Sequence, residues 1–197
     1  MMRILRQATA CIVVFALITG IIYPLIVTGV AQLVFPRQAN GSLIVNNGKT
    51  VGSSLIGQSF SSPKYFWTRP SATSPIPYNA AGSAGSNMGP LNPALTENVE
   101  ARITQLKAAD PDNKMPVPVD LATSSASGLD PHISLAAAYY QIPRIARERK
   151  MQQDVVRAII QENTENRFLG VIGEPVVNVL RLNLALDDLE KVQRENK

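Results

Sequence analysis

From Ala8 to Phe35 no charged side chain interrupts a nearly continuous run of Ile, Leu, Val, Ala and Phe, with Arg3 and Arg6 ahead of it and Arg37 behind. As a helix, these roughly 28 residues reach about 40 Å at ~1.5 Å per residue, more than the about 30 Å hydrocarbon core of a bilayer. In lipid a helix satisfies its own backbone hydrogen bonds, so the pattern predicts one membrane-spanning helix over residues 8–35. Gly29-Val30-Ala31 has the look of a signal-peptide cleavage site, but the run continues through Leu33, Val34 and Phe35. It exceeds the roughly 7–15 residues of a signal core. It also lacks the polar face of a soluble core helix. Pro24, after Tyr23, removes one helical hydrogen bond and is expected to bend the helix. The small residues Ala16, Gly20 and Gly29 would permit close packing against other membrane helices. The short basic tail, residues 1–7, favours a cytoplasmic N-terminus and places residues 36–197 outside the cytoplasm.

Beyond the anchor the periodicity changes. Ser42-Leu43-Ile44-Val45 and Lys49-Thr50-Val51 flank Asn46-Asn47-Gly48, a hairpin signal because Asn and Gly accept positive φ. Ser54-Leu55-Ile56 is expected to continue the strand pattern. Tyr65-Phe66-Trp67 reads as core. Residues 70–93 are dense in Ser, Gly, Asn and Pro and form a long loop, of the length that is either flexible or functional. Asn92-Pro93 opens a helix as cap and first residue, with Leu95, Val99, Ile103 and Leu106 on one face. Pro116 to Leu121 is expected to be extended, an edge strand if a strand at all. Ala136 to Arg149 is helical with a bend or break at Pro143, Met151 to Asn163 is a further helix, and Gly170 to Gly173 is a break. In the last segment the leucines at 180, 182 and 184 alternate like a strand, while Val179, Leu182, Leu186 and Leu189 fit a helix. Length and Pro175 favour a helix from there onward. The fold class is α+β: one transmembrane helix followed by a single soluble domain.

The chain carries 19 Lys+Arg against 15 Asp+Glu, net +4. That is short of the concentrated basic face of a nucleic-acid binder. Its single cysteine, Cys11, lies in the apolar run, and its single histidine is His132; a disulfide within the soluble part and a Cys or multi-His metal site are thereby excluded. Arg144, Arg147, Arg149, Lys150 and Arg157 form a basic cluster, read as solvated helix surface or as a face for an acidic partner. Ser124 to Ser134 holds Asp130 and His132 among serines. Residues two apart in an extended segment point to opposite faces and there is no G-x-S-x-G elbow, so Asp130 and Ser134 read as turn and cap residues instead of a hydrolase triad. Gly82 to Asn87 offers backbone N–H groups to an anion but lacks the GK[ST] ending of a phosphate-binding loop.

In their order these segments resemble the C-subunit (KdpC) family of the bacterial Kdp potassium-transporting ATPase. The carrying motifs are Ile18-Thr19-Gly20 with Tyr23-Pro24-Leu25; Gln38 to Leu43; Gly52 to Gln58; Tyr65-Phe66 with Arg69-Pro70-Ser71-Ala72; Tyr78-Asn79; Ser86-Asn87; Pro118 to Leu121; Ser125 to Ser134; Ala137 to Arg144; and Val177 to Leu180 with Leu182 to Asp187. The resemblance implies a non-catalytic accessory subunit with no cofactor of its own, in a bacterial inner-membrane complex that handles ATP and potassium. Its implied partners are a channel-like potassium-binding subunit, a P-type ATPase subunit and a small single-helix subunit. Two roles follow from it: stabilising assembly and capping the outer mouth of the potassium pathway, or raising the ATPase subunit's affinity for ATP through a transient ternary complex with nucleotide. For the second role the resemblance points to Gln141 and to Ser83, Gly85, Ser86 and Asn87, where GSAGSN departs from the family's usual SGGSN. In the anchor it marks Gly20, Tyr23 and Pro24, to which helix packing adds Gly29.

Overall fold

A computed structural model of the chain describes residues 1–195. The chain forms two compact units, residues 1–51 and Gly52 onward. In the first, α1 (Met2–Leu17), a π-helical turn (Ile18–Ile22) and α2 (Tyr23–Val34) run together as one apolar helix, Met2–Val34, of 33 residues, about 50 Å long. The basic tail is thus helical from Met2. The π turn lies just ahead of Pro24, whose ring would meet the carbonyl of Gly20 in a regular α-helix. The wider turn accommodates it, and the backbone stays helical through Ile22 and Tyr23. The hydroxyls of Thr9 and Thr19 donate to the carbonyls of Leu5 and Phe15 at 2.9 and 2.7 Å, so no hydroxyl proton of these threonines faces the apolar surroundings unpaired. Phe35 ends the helix. After α3 (Pro36–Ala39) come β1 (Leu43–Asn46) and β2 (Lys49–Ser53), a two-stranded sheet. Asn47 and Gly48 sit at φ 50° and 74°, the signs a two-residue hairpin turn requires.

The second unit contains α4 (Pro93–Ala109), α5 (Val119–Ala122), β3 (His132–Ser134), α6 (Leu135–Tyr140), α7 (Ile142–Arg149), α8 (Gln153–Glu162), β4 (Thr164–Glu165), β5 (Val176–Asn178) and α9 (Val179–Glu195). The sheet order is β3-β5-β4, antiparallel throughout, with Ile133 opposite Val177 and Thr164 opposite Val177. Asn92 caps α4 by accepting from the Ala94 amide at 3.0 Å, and Ser134 caps α6 through Ala137 at 3.0 Å. Asp120 in turn accepts from the amide and hydroxyl of Ser134. The break between α6 and α7 falls at Gln141, two residues before Pro143. One core joins the pieces: Phe66, Leu121, Ile133, Ala137, Ala138, Ile142, Ile145, Val156, Ile160, Val177, Val179, Leu182 and Leu186 are fully buried.

Several expectations need correction. Val119 to Ala122 is a helical turn, not an edge strand, because Pro118 has only to cap it in an extended conformation while Leu121 and Ala122 bury into the core. The last helix starts at Val179, not at Pro175, since Val176–Asn178 pairs with both β3 and β4. Residues 54–56 turn instead of extending the hairpin, with Ser53 bridging back to Ile56. The basic cluster is divided: Arg147, Lys150 and Arg157 are exposed as expected, but Arg144 is 2% exposed and the Arg149 side chain is buried. Arg147 pairs with the buried Asp110 at 2.6 Å.

Candidate functional site

The most constrained polar assembly surrounds residues 63–68, a turn at Pro63 and Lys64 that runs into irregular backbone from Phe66 to Thr68, which no strand partner covers among the described residues. Two side-chain amides replace the missing strand. Asn183 of α9 accepts from the Phe66 amide at 2.8 Å and donates to its carbonyl at 3.1 Å. Gln141 does the same for Trp67, at 2.7 and 3.2 Å. Gln141 also donates to the Ala137 carbonyl and accepts from Arg144 at 2.6 Å, so its 1%-exposed amide has two donors and two acceptances engaged within the protein. Arg144 donates further to the carbonyls of Pro63 and Tyr65. Its guanidinium lies 4.5 Å from the Trp67 ring, and that of Arg102 lies 5.4 Å from it. Burial pulls the Arg144 pKa down to about 10, against the pull of the Asp110 and Glu148 charges. Arg149 holds the Lys64 carbonyl and reaches Asp187 and Glu190 at 2.7 and 2.8 Å, while the Tyr65 hydroxyl donates to Asp187.

The long loop is ordered by its own hydroxyls. Ser71 accepts from the Tyr78 amide and Thr73 from that of Asn79, and the Tyr78 hydroxyl donates to the Arg69 carbonyl at 2.6 Å. Gly85 lies so close to Ala126 that a Cβ would stand 2.7 Å from its carbonyl oxygen. Gly85 and Ser86 line a cleft of about 430 Å³ together with Ser71, Asn98, Arg102 and Ser124. Ser83 is turned to the Ser127 carbonyl at 3.0 Å, and Asn87 sits at φ 52°. The amides of Gly82 and Ala84 already donate to Asn79 and Ser127. Arg102 donates to the carbonyls of Leu121 and Thr68 and to the Gln105 side chain. Gln141 does not line this cleft; the structure keeps it in the core, apart from the loop with which the family resemblance had grouped it.

Asp130 and His132 do meet, contrary to the opposite-face argument. Asp130 accepts from the His132 amide at 3.0 Å in a tight turn through Pro131, which brings the ring to 3.4 Å from its carboxylate. Arg69 donates to the other oxygen at 3.0 Å. Burial alone would raise the Asp130 carboxyl, but the hydrogen bonds from His132 and the charge of Arg69 outweigh it and hold it below its ordinary value. The second ring nitrogen faces Glu165 at 3.7 Å. The imidazole's recorded partners are thus carboxylates, and Ser134 is occupied as a cap. This is a polar cluster, with Arg69–Asp130 as its ion pair, joining the start of β3 to β4. Among the described residues no hydroxyl is recorded against the imidazole, as a triad would need.

Sequence reasoning missed Asn183, Asn178 and Asp120 as structural polar groups. Asn178 donates to the Ser54 carbonyl at 2.9 Å and accepts from Arg181. The available signal was an Asn at a core-facing helical position, between Leu182 and Leu186, where an unpaired amide would be costly. Among the described residues no cluster of metal-ligating side chains occurs.

The family model described as KdpC, K+-transporting ATPase, c chain, matches residues 5–188. A potassium-transporting ATPase KdpC subunit from Dechloromonas aromatica is 60% identical over 191 residues, 97% of this chain and 100% of its own. Those of Herpetosiphon aurantiacus and Herminiimonas arsenicoxydans are 59% and 62% identical, over 95% and 93% of this chain and 97% and 96% of theirs.

Proposed function

The chain belongs to the KdpC family of K+-transporting ATPase c chains, and from that premise we propose that it is the non-catalytic accessory subunit of a potassium-uptake ATPase, anchored by Met2–Val34 and capping the outer mouth of the potassium pathway. Its partners in this reading are the channel-like potassium-binding subunit, the P-type ATPase subunit and the small single-helix subunit; ATP and potassium are handled by the complex, and the chain carries no cofactor. The observation that supports a structural role most directly is the state of Gln141: both its donors and its acceptor oxygen are engaged inside a buried clamp. The exposed apolar helix, with no buried residue in α1 or α2, supports anchoring, since leaving that surface in water would be strongly unfavourable. Protease treatment of oriented vesicles tests the sidedness. Digestion of the domain from the outer side alone is expected; digestion from the cytoplasmic side alone overturns the capping role.

The open cleft beside Gly85 and Ser86 favours a second reading, the one in which the chain raises ATP affinity. Its volume falls in the range of small-ligand sites. A photoreactive ATP analogue that labels this chain in the complex, competed by ATP, would establish it in place of the capping role.

A further inference from the structure

Between β4 and β5 the chain leaves the core as a short hydrogen-bonded finger. Phe168 and Ile172 form an antiparallel bridge, with amide-to-carbonyl distances of 2.8 and 3.0 Å. The tip residues Leu169 and Gly170 sit at φ 51° and 76°. Phe168, Leu169, Val171 and Ile172 are 68, 79, 75 and 62% exposed, so four bulky apolar side chains project from one five-residue turn.

Leu169 is the informative residue. A turn of this kind asks for Asn or Asp at that position, which tolerate positive φ and suit water. Leucine is unfavourable on both counts, and a finger made only to connect two strands gains nothing from it. Charge decides what kind of surface covers the tip. Arg167 is paired with Glu174 at 2.7 Å, and Arg181 with Glu165 at 3.0 Å. The collar is therefore self-neutralised, with no net basic charge for an anionic bilayer surface, which is what lipid-docking segments carry. An apolar centre ringed by satisfied polar pairs is the anatomy of a protein contact.

We propose that the Phe168–Ile172 finger inserts into an uncharged, apolar-lined pocket on another subunit of the transport complex. This rests on the accessory-subunit reading. The probe is the full chain with Cys11→Ser and Leu169→Cys, assembled in membranes. Maleimide labelling of the tip should slow by about tenfold or more on assembly, as expected of a water-excluded anchor. A benzophenone maleimide placed there should give an adduct identified by mass as a subunit of the complex. Leu169→Asn with Val171→Thr should lower recovery of stoichiometric complex from detergent by about tenfold or more, with no fall in the subunit's own unfolding midpoint. Unchanged labelling on assembly, quenching of a tip fluorophore by spin-labelled lipid, or a tip-to-tip homodimer would each overturn the proposal. If the Cys11→Ser parent assembles normally while the tip stays reactive, only the finger assignment falls. If the parent itself never co-purifies with a pump, the accessory-subunit reading falls and takes the finger with it.

Discussion

Replacing Gln141 with leucine keeps nearly the same volume and removes every hydrogen bond that the glutamine side chain makes, leaving those of Asn183 to Phe66 and of Arg144 to the Pro63 and Tyr65 carbonyls. The Trp67 amide and carbonyl, at 2.7 and 3.2 Å from the glutamine, lose their partner in a buried setting, and Arg144 loses the acceptor at 2.6 Å. An orphaned buried polar group costs about 1–3 kcal/mol, so two backbone groups and part of a guanidinium amount to about 3–6 kcal/mol. Against a typical total of about 5–15 kcal/mol, the variant should be severely destabilised. Trp67 is the only tryptophan and sits against two guanidinium groups, so its fluorescence reports the clamp during denaturant unfolding of the full chain in detergent. A lower midpoint at unchanged slope is expected. If Gln141→Leu unfolded within about 1 kcal/mol of the parent while the complex lost ATP affinity, the clamp argument would be wrong and a nucleotide contact would replace it.

Other consequences are direct. The Asp130 carboxyl is held below its ordinary value near 3.8, so the unfolded chain binds the extra proton. Its contribution is complete above that value and is lost as pH falls through the depressed one; Asp130→Asn should flatten the acid limb of the stability curve below about pH 4. Gly128 sits at φ +65°, and a Cβ there would lie 2.5 Å from the Ala84 carbonyl oxygen; Gly128→Ala should cost about 2–4 kcal/mol, combining the left-handed backbone with overpacking, as read by the same unfolding assay. Leu182 is fully buried while Leu91 is 96% exposed. Leu182→Ala should cost about 2–5 kcal/mol and Leu91→Ala less than about 0.5 kcal/mol.

Local patterns were enough for much of this molecule. An uncharged apolar run longer than a bilayer has one low-energy form in lipid, the Asn47-Gly48 turn follows from positive φ, and Asn92 and Ser134 cap helices because their side chains reach orphaned amides. Those features depend on neighbours within a few residues. The segment Val119–Ala122 became helical, and Val176–Asn178 became the central strand of its sheet, because of what packs against them, which no local pattern encodes. The same holds for the polar interior. Gln141 and Trp67 lie 74 residues apart, Phe66 and Asn183 117. Whether an amide or a guanidinium belongs in water or in a core is decided by the partners that meet it there, and only the folded chain brings such distant groups within hydrogen-bonding reach.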